Sequence, residues 1–513
     1  MLFNSYMFLF TYLPLTILIA YFFMRFYTAA VVPWLLLVSL VFYGWWNPRY
    51  LALLLLSILF NFLIARCIVH ASSISRKQIA LLVGIVGNLA ALFYFKYTNF
   101  FLQNANALLN LNFNFYNIIL PLGISFFTFT QMAFLIDAYY RKVDEVKLLN
   151  YSLFVTYFPH LIAGPIIHHS DVMPQFTRML QSKNSPIMRY FIIGLSIFAI
   201  GLFKKVCIAD MLAPKVDTIF QIPGKGYDIS MLDAWTGALG YTFQLYFDFS
   251  GYSDMAIGLS YMLGIKLPIN FFSPYKAINI IDFWRRWHMT LSRFFRDYLY
   301  IPLGGSRRGP VRKYVNLFIV MVIVGFWHGA GWTFILWGIY HGLLLILNHG
   351  WHALKLILPL KFKIITQLKP LAVLLNFISN MVTFFCVTLG WVMFRANDLT
   401  TAKSFYAGMF HHHHYYYGSL GLLTALNYVF FWLFILGCAI IAFILPNNIE
   451  LMKSTSVVLD SKSLNASNNV GGLSAIRLAW TPSLGYGLLM GAIVYFALTG
   501  IANTPSNFLY FNF

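Results

Sequence analysis

Charge is what this 513-residue sequence has least of. Charged residues make up 10% and apolar residues 60%, against about 25% and 45–50% in soluble proteins. A water-soluble domain could not cover that much apolar surface. Acid is scarcer than base, with 15 Asp and Glu against 35 Lys and Arg and a formal charge of +20. In a soluble chain that excess would suggest nucleic acid. Here the basic residues sit between apolar runs, which suits cytoplasmic loops beside anionic headgroups, and nucleic acid is not an expected partner. The four cysteines, Cys67, Cys207, Cys386 and Cys438, stand alone with no C-x-x-C. They give no metal site, say nothing of the redox compartment, and read as small packing residues. G-x-S-x-G, the P-loop and G-x-G-x-x-G are all absent, so a serine-hydrolase or nucleotide-driven mechanism has no support. No basic residue precedes the first apolar stretch, Met1 to Phe23, and no cleavage pattern is clear. An uncleaved first span fits better than a signal peptide, and Arg25 after it favours an outside N-terminus.

What the sequence does have is long apolar runs without strand-like alternation. Only helices and closed barrels satisfy their backbone in lipid, so the fold class is an all-α polytopic membrane protein. Candidate spans are 2–24, 30–46, 50–70, 79–97, 117–138, 150–168, 188–208, 232–263, 314–327, 331–350, 372–394, 426–446 and 484–501. Some are too short or glycine-rich to cross simply, so about ten to twelve crossings are expected within a single domain, 1–513. Residues 264–313 are polar, aromatic and basic. Between Asp282 and Lys313 lie eight basic residues and two acids, which places this block at the cytoplasmic interface. Residues 447–480 read as a polar, flexible loop between the last two spans. No long internal repeat is visible, which counts against a transporter built from repeated halves.

Chemistry concentrates at two histidines. Read as one helix, 283–300 puts Trp284, His288, Leu291 and Phe295 on an apolar stripe, with Arg286, Thr290, Arg293 and Asp297 opposite. A histidine there must find a partner or stay neutral, and a core histidine bonded to a carbonyl is the plain alternative. His328 follows an apolar run from Leu317 to Trp327 and is followed by Gly329. An ionisable group inside a membrane is a functional-site hypothesis by default, and a neutral imidazole is a competent general base. Helix packing through the glycines is its alternative. Asp248 and Asp254 fall within a candidate span, where pairing with Arg285 or Arg286, or capping a broken helix, is the favoured role over orienting a histidine. His160, His168 and His169 flank an apparent break at Gly164-Pro165 and read equally well as interface histidines. The run His411 to His414 reads as a loop, not a metal site, because consecutive histidines point apart and no acid or cysteine is near.

These segments together resemble a known family. The resemblance rests on MLFNSYMFLFTYLPL at the start, GISFFTFTQMAFLIDAYYRK (123–142) and FPHLIAGPI (158–166). It is most specific in YFDFSGYSDMAIGLSYMLGIKLPINFFSPY (246–275), FWRRWHMTLSRFFRDYLYIPLGG (283–305) and GFWHGAGWTFILWGIYHG (325–342). It continues in WVMFRA (391–396) and the terminal FLYFNF (508–513). The chain resembles the membrane-bound O-acyltransferases (MBOAT), in particular their bacterial alginate O-acetyltransferase branch. The teichoic-acid D-alanyl transfer branch ranks second.

The resemblance implies a ring of helices around a thinned centre, with a tunnel whose essential histidine is His328 and whose second histidine is His288. Trp287, Trp327, Tyr246, Asp248, Ser253, Arg285 and Arg286 are the residues expected along the substrate path. The implied donor is an acyl thioester such as acetyl-CoA entering from the cytoplasm, with no bound cofactor and no metal. The implied acceptor is a polysaccharide or a residue of a periplasmic acetyl-transfer partner, and the implied location is the bacterial inner membrane. Two positions depart from the family pattern, His160 where Gln is frequent and His168-His169 where another polar or basic pair is usual. A polysaccharide or lipid flippase and a non-catalytic scaffold are the alternatives from other classes; only acyl transfer requires a thioester and His328.

Overall fold

The computed structural model describes residues 1–143, 146–179, 187–357, 369–411, 422–455, 457–459, 480–481, 483–503 and 508–509. Among them there is no strand, as a backbone that must satisfy itself in lipid requires. The helices run α1 (Leu13–Phe26), α2 (Val31–Gly44), α3 (Pro48–His70), α4 (Ile74–Leu92), α5 (Thr98–Leu109), α6 (Ile124–Tyr139) and α7 (Leu148–Thr156). Next come α8 (His169–Met179), α9 (Ile187–Phe203), α10 (Asp210–Phe220), α11 (Met231–Met262), α12 (Ile280–Arg286), α13 (Met289–Phe295) and α14 (Gly309–His328). The last are α15 (Trp332–Ile357), α16 (Lys369–Arg395), α17 (Leu399–Phe410), α18 (Leu422–Phe443), α19 (Asn448–Leu451) and α20 (Leu484–Asn503).

Among the described residues, eight helical stretches are long and apolar enough to cross a membrane: Phe8–Phe26, Pro48–His70, Ile74–Leu109, Met188–Lys225, Gly309–His328, Pro370–Arg395, Leu426–Phe443 and Leu484–Ala502. This count rests on length and composition alone and does not set the number of crossings, for which about ten to twelve are expected. The run 30–46 becomes the shorter helix α2, and 232–263 becomes α11, which carries too much polarity to count by composition. On α4, Ile79, Leu82, Val86 and Leu89 are exposed, an apolar face for lipid to cover.

Helix α11 is the axis of the protein. Its 32 residues reach about 48 Å, and it is buried almost without interruption from Thr236 to Met262. Such a helix needs neighbours close on every side, and small residues provide that. Gly194 and Gly201 of α9 meet Gly258 and Gly251 of α11 at matching seven-residue spacings. A Cβ on Gly194 would lie 2.6 Å from the Gly258 carbonyl oxygen, and one on Gly201 2.7 Å from that of Gly251. Close backbone approach of this kind replaces the hydrophobic effect as the packing force between helices in lipid.

Charges are sealed into the same contact. Lys205 Nζ lies 2.6 Å from Asp248 Oδ1 and 2.7 Å from Asp210 Oδ1, while Lys204 Nζ lies 2.6 Å from Asp254 Oδ2. The expectation that Asp248 and Asp254 pair with Arg285 or Arg286 is therefore corrected. The two lysines sit on a π turn, Lys204–Ala209, that faces α11, whereas Arg286 bonds Asp282 one helical turn away at 2.8 Å and Arg285 is exposed. The segment read as polar loop from 447 begins as an ordered one. Asn447 and Glu450 form a capping box on α19, and Asn448 Nδ2 donates to Asp254 Oδ2 at 2.9 Å. Residues 460–479 lie outside the described residues.

Candidate active site

Helix α14 and helix α15 form a tight hairpin. Gly325 faces the Phe334 carbonyl and Gly338, and Gly338 faces the Met321 carbonyl, so neither position has room for a side chain. This contact carries the last residue of α14, His328, against Trp337 of α15, with ring centroids 5.3 Å apart. His328 is 5% exposed and also touches Trp327 at 4.8 Å and Phe394 of α16 at 5.1 Å. The chain leaves the helix at once, because Gly329 is extended and packs against the Phe334 ring.

His288 is fully buried with its ring centroid 6.5 Å from that of His328. It does not sit on a continuous helix. Helix α12 ends at Arg286, Trp287 is extended, and His288 takes the left-handed conformation at φ 44° before α13 starts at Met289. The single helix expected over 283–300 is thus broken at the histidine itself, and its two stripes dissolve. Thr290, expected on the polar face, is buried. The physical reason is non-local. The segment 270–272 lies between the two helices and takes over their terminal bonds: Met289 N–H donates to Asn270 O at 2.9 Å, and Phe272 N–H to Arg286 O at 2.9 Å. A non-glycine residue at positive φ is costly, and persists where its surroundings over-determine it.

Those surroundings also assign the tautomer. Ile166 N–H donates to Thr290 Oγ1 at 3.0 Å, so the Thr290 hydroxyl is left to donate to Asn270 Oδ1 at 2.9 Å. The backbone N–H of Thr290, which can only donate, lies 3.4 Å from Asn270 Oδ1 and sets the amide orientation, leaving Nδ2 to donate to Ser253 Oγ at 3.2 Å. His288 Nδ1, 3.0 Å from that Oδ1, must therefore be the protonated nitrogen. Nε2 then carries a lone pair, and among the described residues it has no hydrogen-bond partner. The two imidazoles thus lie 6.5 Å apart among aromatic rings, one with an uncommitted acceptor.

The remaining expected residues divide. Trp327 is buried and stacks on Phe129 at 5.2 Å, and Trp287 packs on Trp391 at 4.8 Å, both beside the histidines. Tyr246 lies 6.4 Å from Trp287, and Ser253 joins through Asn270. Tyr246, Phe249 and Ser253 share one face of α11, with Phe249 4.8 Å from His288. Asp248 points to another face, toward Lys205 and the backbone N–H of Leu509, and is not brought to the histidines. Neither is Arg286, which is held by Asp282, nor Arg285 at the surface. His160 is a core histidine bonded to Phe154 O at 3.0 Å, and His168 meets Tyr298 Oη at 3.2 Å. His169 lies 3.3 Å from Asp137. His411 is exposed, and His412 to His414 lie outside the described residues.

Two contributors escape the sequence reading. Asn270 is one. Lys96 is the other: its Nζ donates to the carbonyls of Trp327 at 2.6 Å and His328 at 3.0 Å. An ionisable residue within the candidate span 79–97 is the signal that could have found it.

The structure thus brings together a buried pair of imidazoles, each at the end or start of a helix, within a multi-helix body. The model of the MBOAT, membrane-bound O-acyltransferase family, matches residues 40–391, which include both histidines, and the chain belongs to this family. It is a multi-pass membrane acyltransferase. The chain is 45% identical over 440 residues to the peptidoglycan O-acetyltransferase of Helicobacter pylori, covering 80% of each chain. It is 37% identical over 527 residues, the whole of both chains, to the probable alginate O-acetylase AlgI of Pseudomonas putida. To the corresponding protein of Azotobacter vinelandii it is 40% identical over 419 residues, 80% of this chain and 78% of that one.

Proposed function

We propose that this chain is a bacterial inner-membrane O-acetyltransferase. It takes acetyl from a cytoplasmic thioester, coenzyme A being the donor, and passes it to a hydroxyl on the far side. That hydroxyl belongs to an envelope polysaccharide or to a periplasmic partner that loads one. The observation that carries the reading is the facing pair His288 and His328, with Nε2 of His288 uncommitted. The names of the relatives supply acetyl and polysaccharide. The exposed Arg307, Arg308 and Arg312 at the start of α14 suit a phosphate-bearing donor.

In this reading His328 accepts the proton of the acceptor hydroxyl as its oxygen attacks the thioester carbonyl carbon. The tetrahedral intermediate collapses, the carbon–sulfur bond breaks, and the departing thiolate takes the proton back from His328. His288 has two conceivable tasks, orienting the acceptor or holding the oxyanion. With its one proton committed to Asn270, it has none to give an oxyanion in the neutral state, so the tautomer supports the orienting role: Nε2 accepts from a neighbouring donor group of the acceptor, while the reacting hydroxyl's single proton goes to His328. The tryptophan and phenylalanine rings packed around the two histidines exclude water and so limit hydrolysis of the thioester.

Mass spectrometry of envelope polysaccharides with and without the gene tests this. The expected result is loss of one O-acetyl substituent from one polymer. Unchanged acylation with a polymer missing from the surface would replace the reading with transport.

A further inference from the structure

Helix α14 ends in an unusual way. The last carbonyls of any helix lack partners within it, and most chains supply one by a left-handed residue just beyond the end. Here Gly329 is extended, at φ −160° and ψ 150°, outside the left-handed region. The last three carbonyls are received from another helix instead. Tyr97 Oη donates to Phe326 O at 3.1 Å, and Lys96 Nζ donates to Trp327 O at 2.6 Å and His328 O at 3.0 Å. Both residues lie on a π turn, Phe93–Tyr97, that interrupts the helix between α4 and α5, and such interruptions recur at functional sites. The Tyr97 ring stacks on Phe326 at 4.3 Å, and Lys96 Nζ lies 5.8 Å from the Trp327 ring centre. A cation at a helix C-terminus is also favoured by the dipole.

We infer that Lys96, assisted by Tyr97, is the positioning residue for His328. It serves carbonyls that a left-handed residue after the helix would otherwise serve, Gly329 being extended and packed against the Phe334 ring. By fixing the carbonyls of 326–328 it fixes the backbone from which the imidazole projects, and hence the distance between the two histidines. The lysine touches no reacting atom. Its contribution is to the geometry of the transfer step, not to donor binding. The inference rests on the proposed role of His328.

The test uses the full-length protein in lipid nanodiscs and measures thiol release from acetyl-CoA with acceptor present. Wild-type turnover, and its loss in His328→Ala, judge the proposed function; only the Lys96 and Tyr97 variants judge the inference. Lys96→Met is expected to lower kcat roughly 10²-fold, the cost of a misplacement of about 1 Å, with KM for the thioester unchanged. Lys96→Arg, which keeps a charged donor, is expected to recover most of the rate. Tyr97→Phe, which deletes a single hydroxyl, is expected to give a smaller loss in the same parameter. If Lys96→Met does not accumulate, Lys96→Gln replaces it, with a reduced kcat as the expected result. Unchanged kcat in the Met or Gln variant overturns the inference. So does a loss confined to KM, or an Arg variant no better than Met.

Discussion

Removing the Asn270 side chain tests how the site holds His288. Asn270→Ala deletes the acceptor for the Nδ1–H of His288 at 3.0 Å and for the hydroxyl of Thr290 at 2.9 Å, and the donor to Ser253 at 3.2 Å. All four residues are buried, so no water replaces the lost partner without new space. A buried donor left unpaired costs about 1–3 kcal/mol, and two are orphaned here, so the stability loss is about 2–6 kcal/mol. The effect on rate is separate. Without the amide oxygen the proton is no longer held on Nδ1 and the ring loses its anchor, although the backbone bonds from 270–272 remain. An acceptor hydroxyl misplaced by about 1 Å costs roughly 10² in kcat. Purified variants in nanodiscs, assayed for thiol release and for melting temperature, separate the two. Asn270→Asp, which keeps the acceptor oxygens, is expected to retain more of the rate than alanine. An alanine variant that melts earlier yet keeps its kcat would refute the tautomer argument, because stability would then have been all that Asn270 supplied.

Lys205→Met leaves Asp248 and Asp210 buried without their shared cation, and breaking a buried pair costs about 3–5 kcal/mol. Membrane accumulation and melting temperature are expected to fall, with part of the loss recovered by adding Asp248→Asn; unchanged melting would show the network to be dispensable. Cysteines placed by Arg308→Cys and Lys313→Cys are expected to react with an impermeant maleimide only after the inner membrane is opened, since the block from Asp282 to Lys313 carries eight basic residues against two acids. Labelling in intact spheroplasts would invert the topology.

How far the sequence reaches depends on whether the signal is local. The helical membrane class follows from composition together with unbroken apolar runs, because the first calls for lipid and the second excludes the alternation of a barrel. His328 is legible because an ionisable residue beside a glycine at the end of an apolar run is conspicuous. His288 is a candidate in the sequence for a reason the structure replaces. Periodicity places it on an apolar helix stripe, yet backbone bonds from residues 270–272 break that helix at 287–288. Non-local hydrogen bonding leaves no periodic trace. Asn270 is invisible for the same reason, lying in a polar stretch with nothing to mark which amide matters. The partners of Asp248 and Asp254 were within reach, since Lys204-Lys205 places two cations in an apolar run, matching two carboxylates in another. Arg285 and Arg286 are nearer to the chemistry in sequence and farther from those acids in space. The glycine spacing shared by α9 and α11 is visible in the sequence but acquires meaning only once the two helices are known to touch.

The most direct measurement of the central claim is acetyl transfer by the purified protein carrying His328→Ala, beside His328→Gln and the wild type. Each is supplied with acetyl-CoA and the acceptor in nanodiscs, at matched protein content. A general base contributes roughly 10²–10⁴-fold, so the alanine variant is expected to lose detectable transfer while accumulating normally in the membrane. Glutamine is not expected to restore it, because an amide can hydrogen-bond the hydroxyl but cannot take its proton. Near-normal transfer by His328→Ala would contradict the account, and with it the assignment of this histidine pair as the place where acetyl changes hands.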